Sequence, residues 1–128
     1  MIIDTDVIIW DLRGDPAARS TLARQVPFCI SVVTYMELLQ GIRNKRELQA
    51  LQRQLLRWSV TMLQITPDVS SRAMFYVEDY CLSHTMQLAD ALIAACAVEH
   101  GRTLLTANTG HYRHIPELGL SEFQPQRE

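Results

Sequence analysis

Met1-Ile2-Ile3-Asp4-Thr5-Asp6-Val7-Ile8-Ile9-Trp10 is the stretch whose reading decides the fold. An apolar run stops on a carboxylate at Asp4 and resumes at Val7 to Trp10. A buried strand that turns into a helix explains both halves, because central strands of parallel sheets are apolar on both faces. Further along, Asp15-Pro16 opens a helix over 15–24, the aspartate capping and the proline taking the first turn. Pro27 breaks the chain, and Phe28 to Val32 reads as a second strand. A helix is expected over 33–42, ended by Gly41. Another follows over 45–57, with Leu48, Leu51 and Leu55 on one side and Arg46, Arg53 and Arg57 on the other. Thr61 to Ile65 suits a third strand, and Thr66-Pro67-Asp68 starts a helix whose Val69, Ala73, Tyr76/Val77 and Tyr80 keep a 3–4 spacing. Leu88 to His100 is an apolar helix with Gly101 at its C-cap, and Arg102 to Thr106 is a fourth strand. Ile115 to Phe123 reads as loop with a short edge strand, and the last five residues as a frayed tail. Strands alternate with helices throughout. The expectation is one α/β domain over 1–128, with a central mostly parallel sheet of four to five strands flanked by helices.

Composition narrows the partners without naming one. The 128 residues are 48% hydrophobic and 20% charged, and the formal net charge is −2. That is an ordinary globular balance, so RNA contact would need a local basic patch rather than overall charge. Lys45 is the only lysine. The arginine face of the 43–57 segment, with Arg43, Arg46 and Arg53, is the candidate patch; a solvated outer face is the rival reading. Cys29, Cys81 and Cys96 lack any CxxC or Cys/His ligand spacing, so buried free thiols are expected and a zinc site is not. No basic n-region with an h-region opens the sequence, and no apolar run approaches the roughly 18–20 residues of a membrane span. A cytoplasmic protein without a membrane partner is expected.

Three carboxylates stand where chemistry would need them. Asp4 lies at the carboxyl end of the first strand, where open α/β sheets bind ligands. Its alternative is a helix cap, for which Asp6 is the more natural residue. Glu37 either faces a cleft at the sheet edge or closes the capping box Thr34-Tyr35-Met36-Glu37. Asp90 sits within Leu88-Ala89-Asp90-Ala91-Leu92-Ile93-Ala94-Ala95-Cys96, with no Arg or Lys between Arg72 and Arg102. A buried carboxylate there must meet a cation, a metal or a cap position. Three acids converging on one site are stable only around a cation, and Mg²⁺ or Mn²⁺ suits oxygen ligands. Such an ion activates water against a phosphodiester, so no nucleophilic Ser or Cys is needed. Thr106, Asn108 and His111, after the fourth strand, either support that ion or form an ordinary turn. His84, His100 and His114 carry no partner spacing and read as surface or cap residues.

Taken in order, Ile2 to Ile8, Ser31 to Gly41, Leu88 to Ala95 and Leu104 to Tyr112 resemble the four signature blocks of the PIN domain, nearest to the VapC-type toxins. The resemblance spans residues 2–112. It implies a three-layer PIN-like sandwich and a single-strand-selective endoribonuclease that uses Mg²⁺, with Mn²⁺ able to substitute. Its RNA substrate would be tRNA or ribosomal RNA. It also implies a homodimer, silenced by a cognate antitoxin whose C-terminal segment occupies the active-site groove. On matching positions Asp4, Glu37 and Asp90 take the acidic, metal-holding roles, and Thr5 or Thr106 adds a hydroxyl. Two departures stand out. Asp6 occupies a position where the family commonly has Asn, so it either adds a supporting carboxylate near the metal or merely caps, and the loop after the fourth strand offers Asn108 and His111 where the family has a fourth acid.

Two rivals remain. Asp4-Thr5-Asp6-Val7 also fits the D-x-D signature of HAD-type phosphatases, in which the first Asp is a nucleophile and the second a general acid. That chemistry wants a late lysine and late paired aspartates, which this sequence lacks. The second rival is a PIN-like binding module without turnover, suggested by the missing fourth acid.

Overall fold

The computed structural model describes residues 1–126. Five short strands, β1 (Ile2–Ile3), β2 (Cys29–Ser31), β3 (Thr61–Leu63), β4 (Leu104–Thr106) and β5 (Leu120–Glu122), form one sheet of order β3-β2-β1-β4-β5, parallel at every pairing. Six helices connect and cover it: α1 (Thr5–Leu12), α2 (Pro16–Gln25), α3 (Val32–Gln40), α4 (Lys45–Arg57), α5 (Pro67–Tyr80) and α6 (Leu88–Glu99). The order reverses direction at β1, so the carboxyl ends of β1 and β4 meet at a topological switch point, where such sheets form a crevice.

Alternation along each strand builds two cores. Ile2, Cys29 and Leu104 face one side, against α5 and α6; Ile3, Ile30 and Leu105 face the other, against α1, α2 and α4. Each fully buried Ile or Leu contributes roughly 1.5–3 kcal/mol. In α6 the buried face is mostly alanine (Ala91, Ala94, Ala95, Ala97), which lets the helix lie close to its neighbours. Gly101, just beyond α6, has φ +62°, the left-handed conformation of a helix-ending glycine.

Several elements differ from expectation, each for a local reason. β1 and β2 are only two and three residues long because Asp4 and Ser31 already cap the next helix. Ser31, donated to by the Val33 backbone N–H, starts α3 at Val32, so Thr34 lies inside the helix and the Thr34–Glu37 capping box does not form. Asp4, not Asp6, caps α1: its Oδ1 accepts from the Thr5 N–H at 2.9 Å. Cys29 and Cys96 are buried, whereas Cys81 is exposed at the end of α5. His84 and His100 are exposed as expected. His114 is half-buried, its ring stacked on His84 at 4.2 Å. The expected frayed tail is held as far as Gln126, whose backbone N–H donates to the buried Asp15 at 3.0 Å; residues 127 and 128 lie outside the described residues. No helix among the described residues is long and apolar enough to cross a membrane.

Candidate active site

The carboxyl ends of β1, β2 and β4 bring together side chains from four separate segments. Asp4 is 5% exposed, and its second oxygen, Oδ2, accepts from the Thr106 hydroxyl at 2.8 Å. Thr5 carries the link onward. Its Oγ1 lies 2.7 Å from Glu37 Oε1 and 3.0 Å from Thr34 Oγ1. With one proton to give, Thr5 donates to the carboxylate and accepts from Thr34, which is wholly buried. Glu37 is thus held by α1, not by its own helix start.

On the other side Tyr112, fully buried, donates its hydroxyl to Asp90 Oδ1 at 3.1 Å. Asp90 lies in the first turn of α6, where the helix dipole favours negative charge. Gln87 leaves the helix start without a side-chain cap. His111 Nδ1 stands 3.3 Å from Asp90 Oδ2, and its ring is exposed. Asp6 is the hub of the turn after β4: its Oδ2 accepts from Asn108 Nδ2 at 2.8 Å and from the Ala107 N–H at 3.1 Å. Thr106 Oγ1 in turn accepts the Asn108 N–H at 3.0 Å.

The electrostatics of this cluster are unfavourable as it stands. Burial, and next the charge of Asp6, push the Asp4 carboxyl up to about 7 from 3.8. Burial also raises Asp6, against the stabilising Ala107 N–H. Burial and the charges of Asp4 and Asp90 hold the Tyr112 hydroxyl far above its usual range, so it is always a donor. Among the described residues neither Asp4 nor Asp6 pairs with a Lys or Arg, and Asp6 Oδ1 is buried with no hydrogen-bond partner. No three His, Cys, Asp or Glu side chains among the described residues are grouped tightly enough to enclose an ion by themselves. A hard divalent cation beside Asp4 would relieve both the like-charge pair and the orphaned oxygen, so the donor set fits one.

A cleft of about 790 Å³ opens beside Glu37, between α1, α3 and α4. Its wall is apolar (Ile9, Leu12, Leu38, Ile42, Leu51), and Arg13, Arg43 and Arg57 line it too. Arg43 is engaged: its backbone N–H and guanidinium both donate to Glu47, the closest contacts being 2.9 and 2.8 Å. Arg46 and Arg53, also candidates from sequence, are exposed on α4 and are not among the cleft's lining residues.

Comparison with known proteins fits this geometry. The sequence profile of the PIN domain matches residues 1–117. The chain belongs to the PIN-domain family. This PIN domain is 33% identical over 122 residues to "Ribonuclease VapC19" of Mycobacterium tuberculosis, covering 91% of the chain and 95% of that relative. It is 34% identical over 122 residues to "Ribonuclease VapC10" of the same organism, covering 92% and 90%. A chain of a "Toxin-antitoxin complex from Klebsiella pneumoniae" superposes with a TM-score of 0.79 at 27% identity, covering 95% of this chain and 98% of that one.

Sequence reasoning singled out Asp4, Glu37 and Asp90 but not Tyr112, which meets Asp90, and it read Thr34 only as a helix cap. Tyr112 is neither an acid nor an obvious cap. The only available signal for Tyr112 was a large aromatic in the loop leading away from β4.

Proposed function

We propose that the chain is a divalent-metal-dependent endoribonuclease, the toxin of a type II toxin–antitoxin pair, acting in the cytoplasm on tRNA or ribosomal RNA. The observation that carries the reading is the gathering, at the carboxyl ends of the central strands, of Glu37 held by Thr5, Asp4 held by Thr106 and the Thr5 N–H, and Asp90 held by Tyr112. The ribonuclease names of its relatives support it.

In this reading Asp4, Glu37 and Asp90 hold Mg²⁺, for which Mn²⁺ substitutes. The ion, when bound, supplies a water of lowered pKa and neutralises charge developing on the scissile phosphate. The protein's own work is to aim the acids: Thr106 orients Asp4, Thr5 orients Glu37, and Tyr112 orients Asp90. Exposed His111 is placed to meet a phosphate oxygen, and Arg46 and Arg53 to meet the RNA backbone.

The cleft beside Glu37 suits a protein segment better than RNA, because much of its wall is hydrocarbon and its charged lining mixes Glu37 and Glu47 with Arg13, Arg43 and Arg57. We assign it to the antitoxin, whose segment would reach the site at Glu37. The toxin itself is a homodimer in this reading.

Incubating the purified protein with mixed small RNAs, in Mn²⁺ or in EDTA, tests the activity. Discrete cuts that vanish with chelator are expected. Phosphate release from p-nitrophenyl phosphate with intact RNA would point to a phosphatase, and turnover of neither to a binding module.

A further inference from the structure

A cluster of rings lies where α5, the turn leading to α6 and the loop beyond β4 meet. The imidazoles of His84 and His114 are stacked at 4.2 Å and 17°. The Tyr80 ring, at the end of α5, meets both edge-on, 4.5 Å from His114 and 5.6 Å from His84. His114 Nε2 lies 3.2 Å from Met86 Sδ, and Ser83 Oγ lies 2.7 Å from His84 Nδ1. Met86 is buried in the core shared with α5 and α6. It directly precedes Gln87, which gives the start of α6 no side-chain cap.

A thioether has no hydrogen to give, so His114 donates from Nε2 to Met86. Nδ1 is then the acceptor nitrogen, and it is buried without a partner. A proton on Nδ1 would be a buried donor with no acceptor, and its charge would meet no counter-charge. Among the described residues no Asp or Glu pairs with His84 or His114. Arg113, next in the chain, donates to Thr109 Oγ1 at 2.8 Å. The titratable groups facing His114 are Tyr80 from α5 and His84 from the turn. Burial first, and a charge on His84 second, pull His114 below its ordinary 6.5. The folded chain thus resists a proton that an opened chain accepts, so stability is lost as pH falls below the ordinary histidine range.

We propose that Tyr80, His84, Met86 and His114 form a pH-sensitive clasp, which ties the α5–α6 turn to the loop beyond β4 and releases it on acidification. To take a proton on Nδ1 the His114 ring swings outward, leaving the His84 stack, the Tyr80 edge and the Met86 sulfur in one movement. The turn then loses its tie beside the uncapped start of α6. Asp90 lies in the first turn of that helix, and its donor Tyr112 stands two residues before His114. Opening therefore loosens Asp90 from both sides without any carboxylate changing its charge. The clasp itself does not depend on the nuclease reading.

The test is an NMR titration of the purified full chain in EDTA, from about pH 8 to about pH 5, with His114→Phe alongside. The His114 ring signals should titrate below 6.5, and the backbone amides of 83–91 should shift with the same midpoint. His114→Phe keeps a ring in the stack but takes up no proton, so those amide shifts should vanish. In thermal melts it should gain on the wild type by on the order of 2–5 °C across the same range. If His114→Phe does not fold, His84→Phe, at an exposed position, carries the test: removing the opposing charge should raise the His114 midpoint. A His114 midpoint at or above 6.5 in the folded wild type would overturn the clasp. So would amides of 83–91 that stay still while His114 titrates, a melting difference that does not change with pH, or a His114 midpoint unmoved in His84→Phe. Each of these results leaves the nuclease reading standing.

Discussion

Replacing Asp4 by Asn should stabilise the metal-free protein at pH 8 and lose that advantage by pH 5. The Asp4 carboxyl is pushed up to about 7 from 3.8, by burial first and by Asp6 second. At about 1.4 kcal/mol per pH unit, ionising it inside the fold costs on the order of 4 kcal/mol relative to the unfolded chain. Between pH ~4 and ~7 the folded protein holds a proton that the unfolded chain has released. Stability therefore falls as pH rises through that window, and the full cost is present above it. Asparagine escapes the cost but cannot match both bonds of the carboxylate. Its carbonyl can still accept the Thr5 N–H, while its amide faces the Thr106 hydroxyl, which must rotate to accept. That exchange costs about 1–2 kcal/mol. The net gain at pH 8 is about 2 kcal/mol, or roughly 5–10 °C in melting temperature for a chain of this size. At pH 5, where wild-type Asp4 is protonated, the variant should melt level with the wild type or slightly below it. The assay is a series of thermal melts in EDTA from pH 5 to 8.5. A wild-type/variant difference that stays constant across that range would refute the claim that a like-charge pair is buried here.

Further outcomes follow from the same geometry. Tyr112→Phe should cost about 1–2 kcal/mol by leaving Asp90 without its tyrosine donor, read as a lower denaturant midpoint with an unchanged slope. Arg13→Glu with Arg57→Glu should weaken antitoxin capture at the cleft, measured by titration calorimetry, while leaving RNA cutting by the free toxin intact; unchanged capture would move the antitoxin elsewhere. Arg46→Ala and Arg53→Ala should each lower the slope of log affinity against log salt for single-stranded RNA by about 0.7 if that arginine meets a phosphate. An unchanged slope would return them to a solvated face.

The fold was legible in sequence because a parallel sheet buried on both faces leaves runs that are apolar throughout, such as Ile2-Ile3 and Leu104-Leu105, separated by amphipathic helices with clear starts. Element ends were less legible. Asp4 and Ser31 each serve as the last strand-side residue and the cap of the next helix, so strands ended earlier than their hydrophobic runs suggested. The same two-residue ambiguity misplaced the cap from Asp4 to Asp6 and proposed a capping box at Thr34 that α3 starts too early to form. Long-range contacts were not legible at all. Thr5 meeting Glu37, Tyr112 meeting Asp90 and Asp6 meeting Asn108 are separated by 32, 22 and 102 positions, and no local pattern encodes such pairings. Asp90 was recognisable because a charge inside an apolar helix requires a partner. That its neighbours would be a tyrosine and a histidine from the turn after β4 depended on the sheet order.

The most direct measurement is anomalous diffraction from a crystal soaked in Mn²⁺. The account expects a peak bonded to the Asp4 carboxylate at roughly 2–2.5 Å, within reach of Asp90 through coordinated water. RNA cutting by a protein whose Mn²⁺ peak lies away from Asp4, or that shows no peak at saturating Mn²⁺, would contradict it.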